Sequence, residues 1–212
     1  MCLTCQAVHE AVNGASAQPP GDSGGLSAEV ELLARGLRSH PFVVATRRGE
    51  LSAEDARVRV REGACVMAAA AAAARHAAQL ADARLARASE EFAADLASDV
   101  CRVGGDEPDE EDRRRLYETG VCATVVAGTP STVLGPLLVR IYVVSVVRAE
   151  IGDGDDPIGD FLTGATEWAA AHEATLVVRD AARRTTSAFR RFYDALDNDR
   201  TARAVLGLST LH

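Results

Sequence analysis

The sequence is short of aromatic residues, which fill only 4% of its 212 positions and include a single tryptophan. Sheet proteins draw on aromatic and β-branched side chains, so this shortage argues against a β fold. A disulfide framework is missing as well. Five cysteines at irregular spacing fit a reducing, cytoplasmic setting. Residues 1–20 lack a basic start followed by an apolar core, so no secretory leader is expected. The longest uncharged apolar stretches are Ala64–Ala74 and Val121–Val139. The first is too rich in small residues, and the second too broken by Gly128, Pro130 and Pro136, to span a membrane. Positive charge is scarce in net terms. The formal charge is -8, and no basic run exceeds Arg113-Arg114-Arg115. An acidic surface repels phosphate backbones and anionic lipid heads, which excludes nucleic acid and membranes as expected partners.

Alanine supplies much of the 47% hydrophobic content, including seven consecutive residues, Ala68–Ala74. It favours helix and lets helix backbones approach closely, so an all-α fold is expected. Residues 1–26 end in the breaker-rich stretch Gln18–Gly25 and read as a flexible extension, leaving 27–212 as one domain. Helices are expected from Ser27 to about Arg38, from Ser52 to about His76, and on through Phe92 to about Val103. His40-Pro41 stops the first, and residues 40–51 form a compact connector. After the acidic loop 104–109, a helix covers roughly 110–127. The apolar run 136–151 has strand propensity over 137–147, but its length and surroundings favour a buried central helix. Helices near 158–172 and 175–198 complete the bundle.

The succession His40-Pro41-Phe42-Val43, Gly49-Glu50-Leu51, Glu91-Phe92-Ala93, Ala149-Glu150-Ile151-Gly152 and Asp160-Phe161-Leu162 resembles the TenA/thiaminase II family over about residues 27–200. The resemblance implies the heme-oxygenase-like fold, a helical bundle with one buried pocket between its central helices. In the thiaminase II enzymes that pocket holds an aminopyrimidine, with an aspartate, a nucleophilic cysteine and a terminal glutamate around it. Here the aspartate position falls on Gly63, beside Glu62. The cysteine position falls on Arg140 or Val144, and the terminal glutamate near Phe189. Standard thiaminase chemistry, which requires the thiol nucleophile and an acid/base pair, is therefore not expected. A metal-binding branch of the fold places a glutamate and a histidine where this chain has Leu85 and Ser89. Heme would rest on His9, outside the matching region, so no cofactor is expected.

The remaining candidates each carry two readings. Arg140, Val144 and Arg148 lie on one helical face. A buried arginine needs an anionic partner, so Arg140 and Arg148 grip an anionic ligand, close internal salt bridges with Glu62 or Glu150, or reach solvent at the helix end. Tyr142 would donate a phenolic hydrogen bond into the cavity or sit in the core, and Phe189 would line the pocket. Glu62 follows Arg57, Arg59 and Arg61, and so belongs to a solvated face or to a proton-transfer site. His172, four residues after Trp168, is either a stacked acid/base or a histidine packed on tryptophan. Cys2, Cys5 and His9 have the spacing of a zinc half-site without a second half, while Cys65, Cys101 and Cys122 read as inert core residues. The expectation is a divergent, metal-free enzyme for an anionic or carbonyl-bearing small molecule in a specialised biosynthetic pathway. Its rival is a non-catalytic ligand-binding or regulatory protein on the same scaffold. The scaffold and the alanine-rich helix 64–74 suggest a homodimer or homotetramer.

Overall fold

The computed structural model describes residues 23–80, 82–103, 107–126, 129, 131–139 and 157–209. Every regular element among them is a helix, so the fold class is all-α. The first, α1 (Ser23–Arg38), starts four residues before the expected Ser27. A first helical turn needs no intrahelical partners for its N–H groups, which lets Gly24 and Gly25 enter it. Leu26, fully buried, fastens that turn to the core. A domain boundary after residue 26 would therefore remove a core side chain. Cys2, Cys5 and His9 lie outside the described residues.

Within the expected connector a short helix forms, α2 (Pro41–Arg47). His40 caps it. Its Nδ1 accepts the Phe42 N–H at 3.2 Å, and its Nε2 lies 3.0 Å from the Asp194 carboxylate. Pro41 suits the first turn, where its missing N–H costs nothing.

Helix α3 (Ala53–Ala77) begins as the sequence predicts. The Ser52 hydroxyl accepts the Asp55 N–H at 3.1 Å, with Glu54 and Asp55 in the first turn and Arg75 and His76 in the last. Its buried stripe runs through Asp55, Val58, Glu62, Val66, Ala70, Ala74 and Ala77, a helical spacing of three or four. Helix α4 (Ala83–Val103) lies along α3 and also meets α8 (Pro157–Ala171). There Phe92 and Phe161 pack with ring centroids 5.3 Å apart, and Leu85 covers Gly164.

The single helix expected over 110–127 is two, α5 (Glu110–Thr119) and α6 (Val121–Val126). Gly120 separates them at φ 67°, a left-handed conformation that glycine adopts without penalty. The next helix, α7 (residues 131–139), is buried at every position from 133 to 139. The expected buried helix over 136–151 is thus helical and buried as far as 139, and its remainder lies outside the described residues. Gly135 brings α7 into backbone contact with the last helix, α9 (Thr175–Ser209): a Cβ at Gly135 would stand 2.3 Å from the Val178 carbonyl oxygen. Helix α9 runs eleven residues past its expected end at 198. No helix among the described residues is long and apolar enough to cross a membrane.

Candidate functional site

Helices α3, α5 and α9 converge on one guanidinium. Arg115 of α5 donates through Nη1 to Oε1 of Glu62 on α3. Its Nε and Nη2 reach Oδ2 of Asp199 on α9 at 3.0 and 2.6 Å. Glu111, one turn back on α5, adds a contact at 3.3 Å, and Asp112 lies 3.6 Å from Nη1. Glu62 is completely buried and Arg115 nearly so (side chain 7% exposed), while the Asp199 side chain is 35% exposed. The cluster thus runs from the core to the surface.

Asp112 links this cluster to the start of α5. Asp109 and Asp112 form a reciprocal capping box: Asp109 accepts the Asp112 N–H at 2.9 Å, and Asp112 accepts the Asp109 N–H at 3.1 Å. The same Asp112 oxygen accepts Arg61 Nε at 2.7 Å, and Arg61 Nη2 reaches Asp109 at 3.0 Å. Two arginines, Arg61 and Arg115, therefore serve five carboxyls: Glu62, Asp109, Glu111, Asp112 and Asp199.

That imbalance sets the protonation states. Burial raises the Glu62 pKa, and the neighbouring Asp112 raises it further against the pull of Arg115, so that it reaches about 8. Asp112 moves the other way. Burial works to raise it, but the hydrogen bonds from Arg61 and the Asp109 backbone, with one shared with Glu62, outweigh that and hold it below the usual carboxylate range. Oε2 of Glu62 accepts no hydrogen bond from the protein. A carboxyl oxygen beside a carboxylate is stable when it carries the proton, and then the Glu62 O–H is the donor and Asp112 the acceptor. At neutral pH the pair holds one proton and one negative charge.

Two thiols lie under the influence of this cluster. Burial first, then the charges of Glu62 and Asp112, push the Cys65 thiol up. Cys122 is pushed to about 11 by burial, with Cys65 and Glu62 adding to it. Both are free and protonated at neutral pH, which makes them poor nucleophiles. Cys101, expected in the core, is exposed in the last turn of α4.

The residues expected to form a site do not gather. Glu62 is fully buried, which overturns its reading as part of a solvated face, and its salt-bridge partner is Arg115. His172 is exposed at the turn between α8 and α9, its ring stacked on Trp168 with centroids 4.4 Å apart. The Thr175 to Asp199 span of α9 is roughly 36 Å at about 1.5 Å per residue, so His172 and the Glu62 cluster sit toward opposite ends of that helix. Phe189 is buried, its centroid 5.9 Å from that of Tyr193, which also packs against His40 and Phe42. Arg140, Tyr142, Val144, Arg148 and Glu150 lie outside the described residues. At Gly63 a Cβ would meet nothing within 4 Å, so that position faces open space. Among the described residues no three side chains are grouped to hold a metal. Ser89 is buried with its hydroxyl unpartnered.

Sequence reasoning missed Arg115, Asp112, Arg61 and Asp199. Their signals were present: Asp109-x-x-Asp112 has capping-box spacing, and Glu62 interrupts the apolar stripe Val58, Val66, Ala70 at a helical interval. A carboxyl in such a stripe demands a buried partner. Comparison with family models, with curated proteins and with solved structures gave no match to this chain.

Proposed function

We propose that the chain is a TenA-like helical protein that binds a small molecule without transforming it, and that Glu62 works as a neutral acid within the bundle. The observation that carries this reading is the sealed position of Glu62, fully buried with its Oε1 held by Arg115. An acid committed to internal partners is suited to hold a hydrogen bond rather than to cycle protons. The exposed His172, far along α9, does not complete an acid/base pair with it. The arginines Arg140 and Arg148 suggest the ligand class, an anionic or carbonyl-bearing small molecule, with Tyr142 and Phe189 proposed beside them as ligand-binding residues. A homodimer or homotetramer in a reducing cytoplasm fits the scaffold and the free Cys65, Cys101 and Cys122.

The second reading is a metal-free enzyme of a biosynthetic pathway. One observation favours it: a carboxyl that is neutral at pH 7 can donate its proton to a carbonyl oxygen, the role of a general acid.

Native mass spectrometry of freshly purified wild-type protein and Glu62→Gln separates the readings. A small molecule retained intact by both supports the binder. A small molecule converted by the wild type and left intact by Glu62→Gln supports the enzyme. A ligand-free protein that also binds nothing from a panel of carboxylates, phosphates and ketones contradicts both.

A further inference from the structure

We propose that the C-terminal segment of α9, from Asp197 to Leu206, is a charge-latched strap that covers the Glu62 cluster and is released without unfolding the bundle. Along α9 the apolar side chains of Val178, Ala182, Phe189, Phe192 and Leu196 are buried. Beyond Leu196 no apolar side chain is buried among the described residues, yet the helix continues to Ser209. Attachment of this segment rests on charge. Asp199 binds Arg115, and Arg203 binds Asp55, with Arg203 Nε 2.9 Å from Oδ1.

One latch reaches α3 directly, at Asp55, and the other reaches Glu62 of α3 through Arg115 of α5. Asp55 and Glu62 are seven residues apart, so they share one helix face two turns apart. From Glu62 the way outward passes through Arg115 to the partly exposed Asp199. Lifting Asp199 uncovers Arg115 and, behind it, the neutral acid. Asp199 and Arg203 are each about a third exposed, so salt reaches and weakens both pairs, whereas the upstream half of α9, though it also pairs with Glu29 through Arg179 and Arg183, is held by apolar burial that salt does not weaken. The two halves of one helix therefore differ in what detaches them. The inference stands apart from whether the protein binds or transforms its ligand.

Hydrogen exchange of the full chain tests it, read by mass spectrometry, together with carbodiimide labelling of carboxyl groups. Raising salt from about 0.1 M to about 1 M shortens the screening length from about 10 Å to about 3 Å. The expected result is several-fold faster exchange over 198–209, unchanged exchange over 176–196, and increased labelling of Glu62. Arg203→Gln at low salt should reproduce all three. Exchange over 198–209 that ignores both salt and Arg203→Gln overturns the latch. Acceleration that extends equally through 176–196 overturns its independence from the bundle, and faster exchange without added Glu62 labelling overturns its role as a cover.

Discussion

Arg115 and Glu62, 53 positions apart in the chain, are joined by a buried hydrogen bond to a carboxyl whose pKa burial pushes up to about 8, so that it carries its proton at neutral pH. The proton stays because Asp112, held ionised by Arg61 and the Asp109 backbone, already supplies the negative charge that Arg115 needs. Adding a second buried charge beside it costs more than Arg115 returns. The consequences are measurable.

Stability should fall as pH rises through the neutral range. The Glu62 pKa is about 8 in the folded state against an ordinary 4.5, so between those values the folded protein binds one proton more than the unfolded chain. Its stabilising contribution is complete below pH 4.5 and is lost as pH climbs through 8, a loss on the order of 5 kcal/mol at about 1.4 kcal/mol per pH unit. Asp112 and Asp55 act in acid. Burial opposes, but the arginine and serine hydrogen bonds prevail and hold both below 3.8, so their contribution is present above that value and disappears as pH falls beneath it. Glu62→Gln keeps the shape and an N–H for Asp112. Urea unfolding should find it close to the wild type at pH 5 and more stable by several kcal/mol at pH 9. A constant difference across that range would contradict the assignment.

Arg115→Leu removes the link between α3, α5 and α9 and leaves Asp112 with Arg61 alone. A loss of about 1–3 kcal/mol is expected near neutral pH, the scale for leaving a buried polar group without its hydrogen-bond partner. The Glu62 proton should be held still more tightly in this variant, because the positive charge that lowers its pKa is gone. A variant as stable as the wild type in urea would show that the contact is dispensable.

Two helical glycines should respond in opposite directions to alanine. At Gly135 a Cβ would stand 2.3 Å from the Val178 oxygen and 2.6 Å from the Ala182 nitrogen, both backbone atoms that cannot swing aside. Gly135→Ala should destabilise by about 3 kcal/mol or more as α7 is pushed off α9. At Gly63 nothing lies within 4 Å, and alanine should stabilise α3 by about 0.5–1 kcal/mol through helix propensity. Thermal unfolding of both variants checks the pair. Equal shifts would mean that α7 and α9 are not in backbone contact.

Much of this architecture was legible in the sequence, because local chemistry decides where helices begin and end. Ser52 with Glu54 and Asp55 announced α3, and Gly152–Pro157 was enough to anticipate a new helix, which begins at Pro157. Boundaries failed where tertiary burial won: Leu26 draws Gly24 and Gly25 into α1, and Gly120 splits a stretch whose apolar pattern runs on. The site was half legible. Glu62 could be singled out, but which arginine reaches it depends on how α5 crosses α3, and nothing in the spacing of Arg115 encodes that crossing. Asp199 was harder still, since it sits in the part of α9 that continues past the last buried apolar residue.

The most direct test of the neutral-acid account is the pH titration of the Glu62 side-chain carboxyl carbon by NMR, assigned by its absence from Glu62→Gln. The account predicts a midpoint near 8, far above the other glutamates, with a smaller coupled step at the Asp112 carboxyl over the same range. A midpoint in the ordinary range near 4.5 would mean that Glu62 is charged at neutral pH, and the account of the shared proton would be wrong.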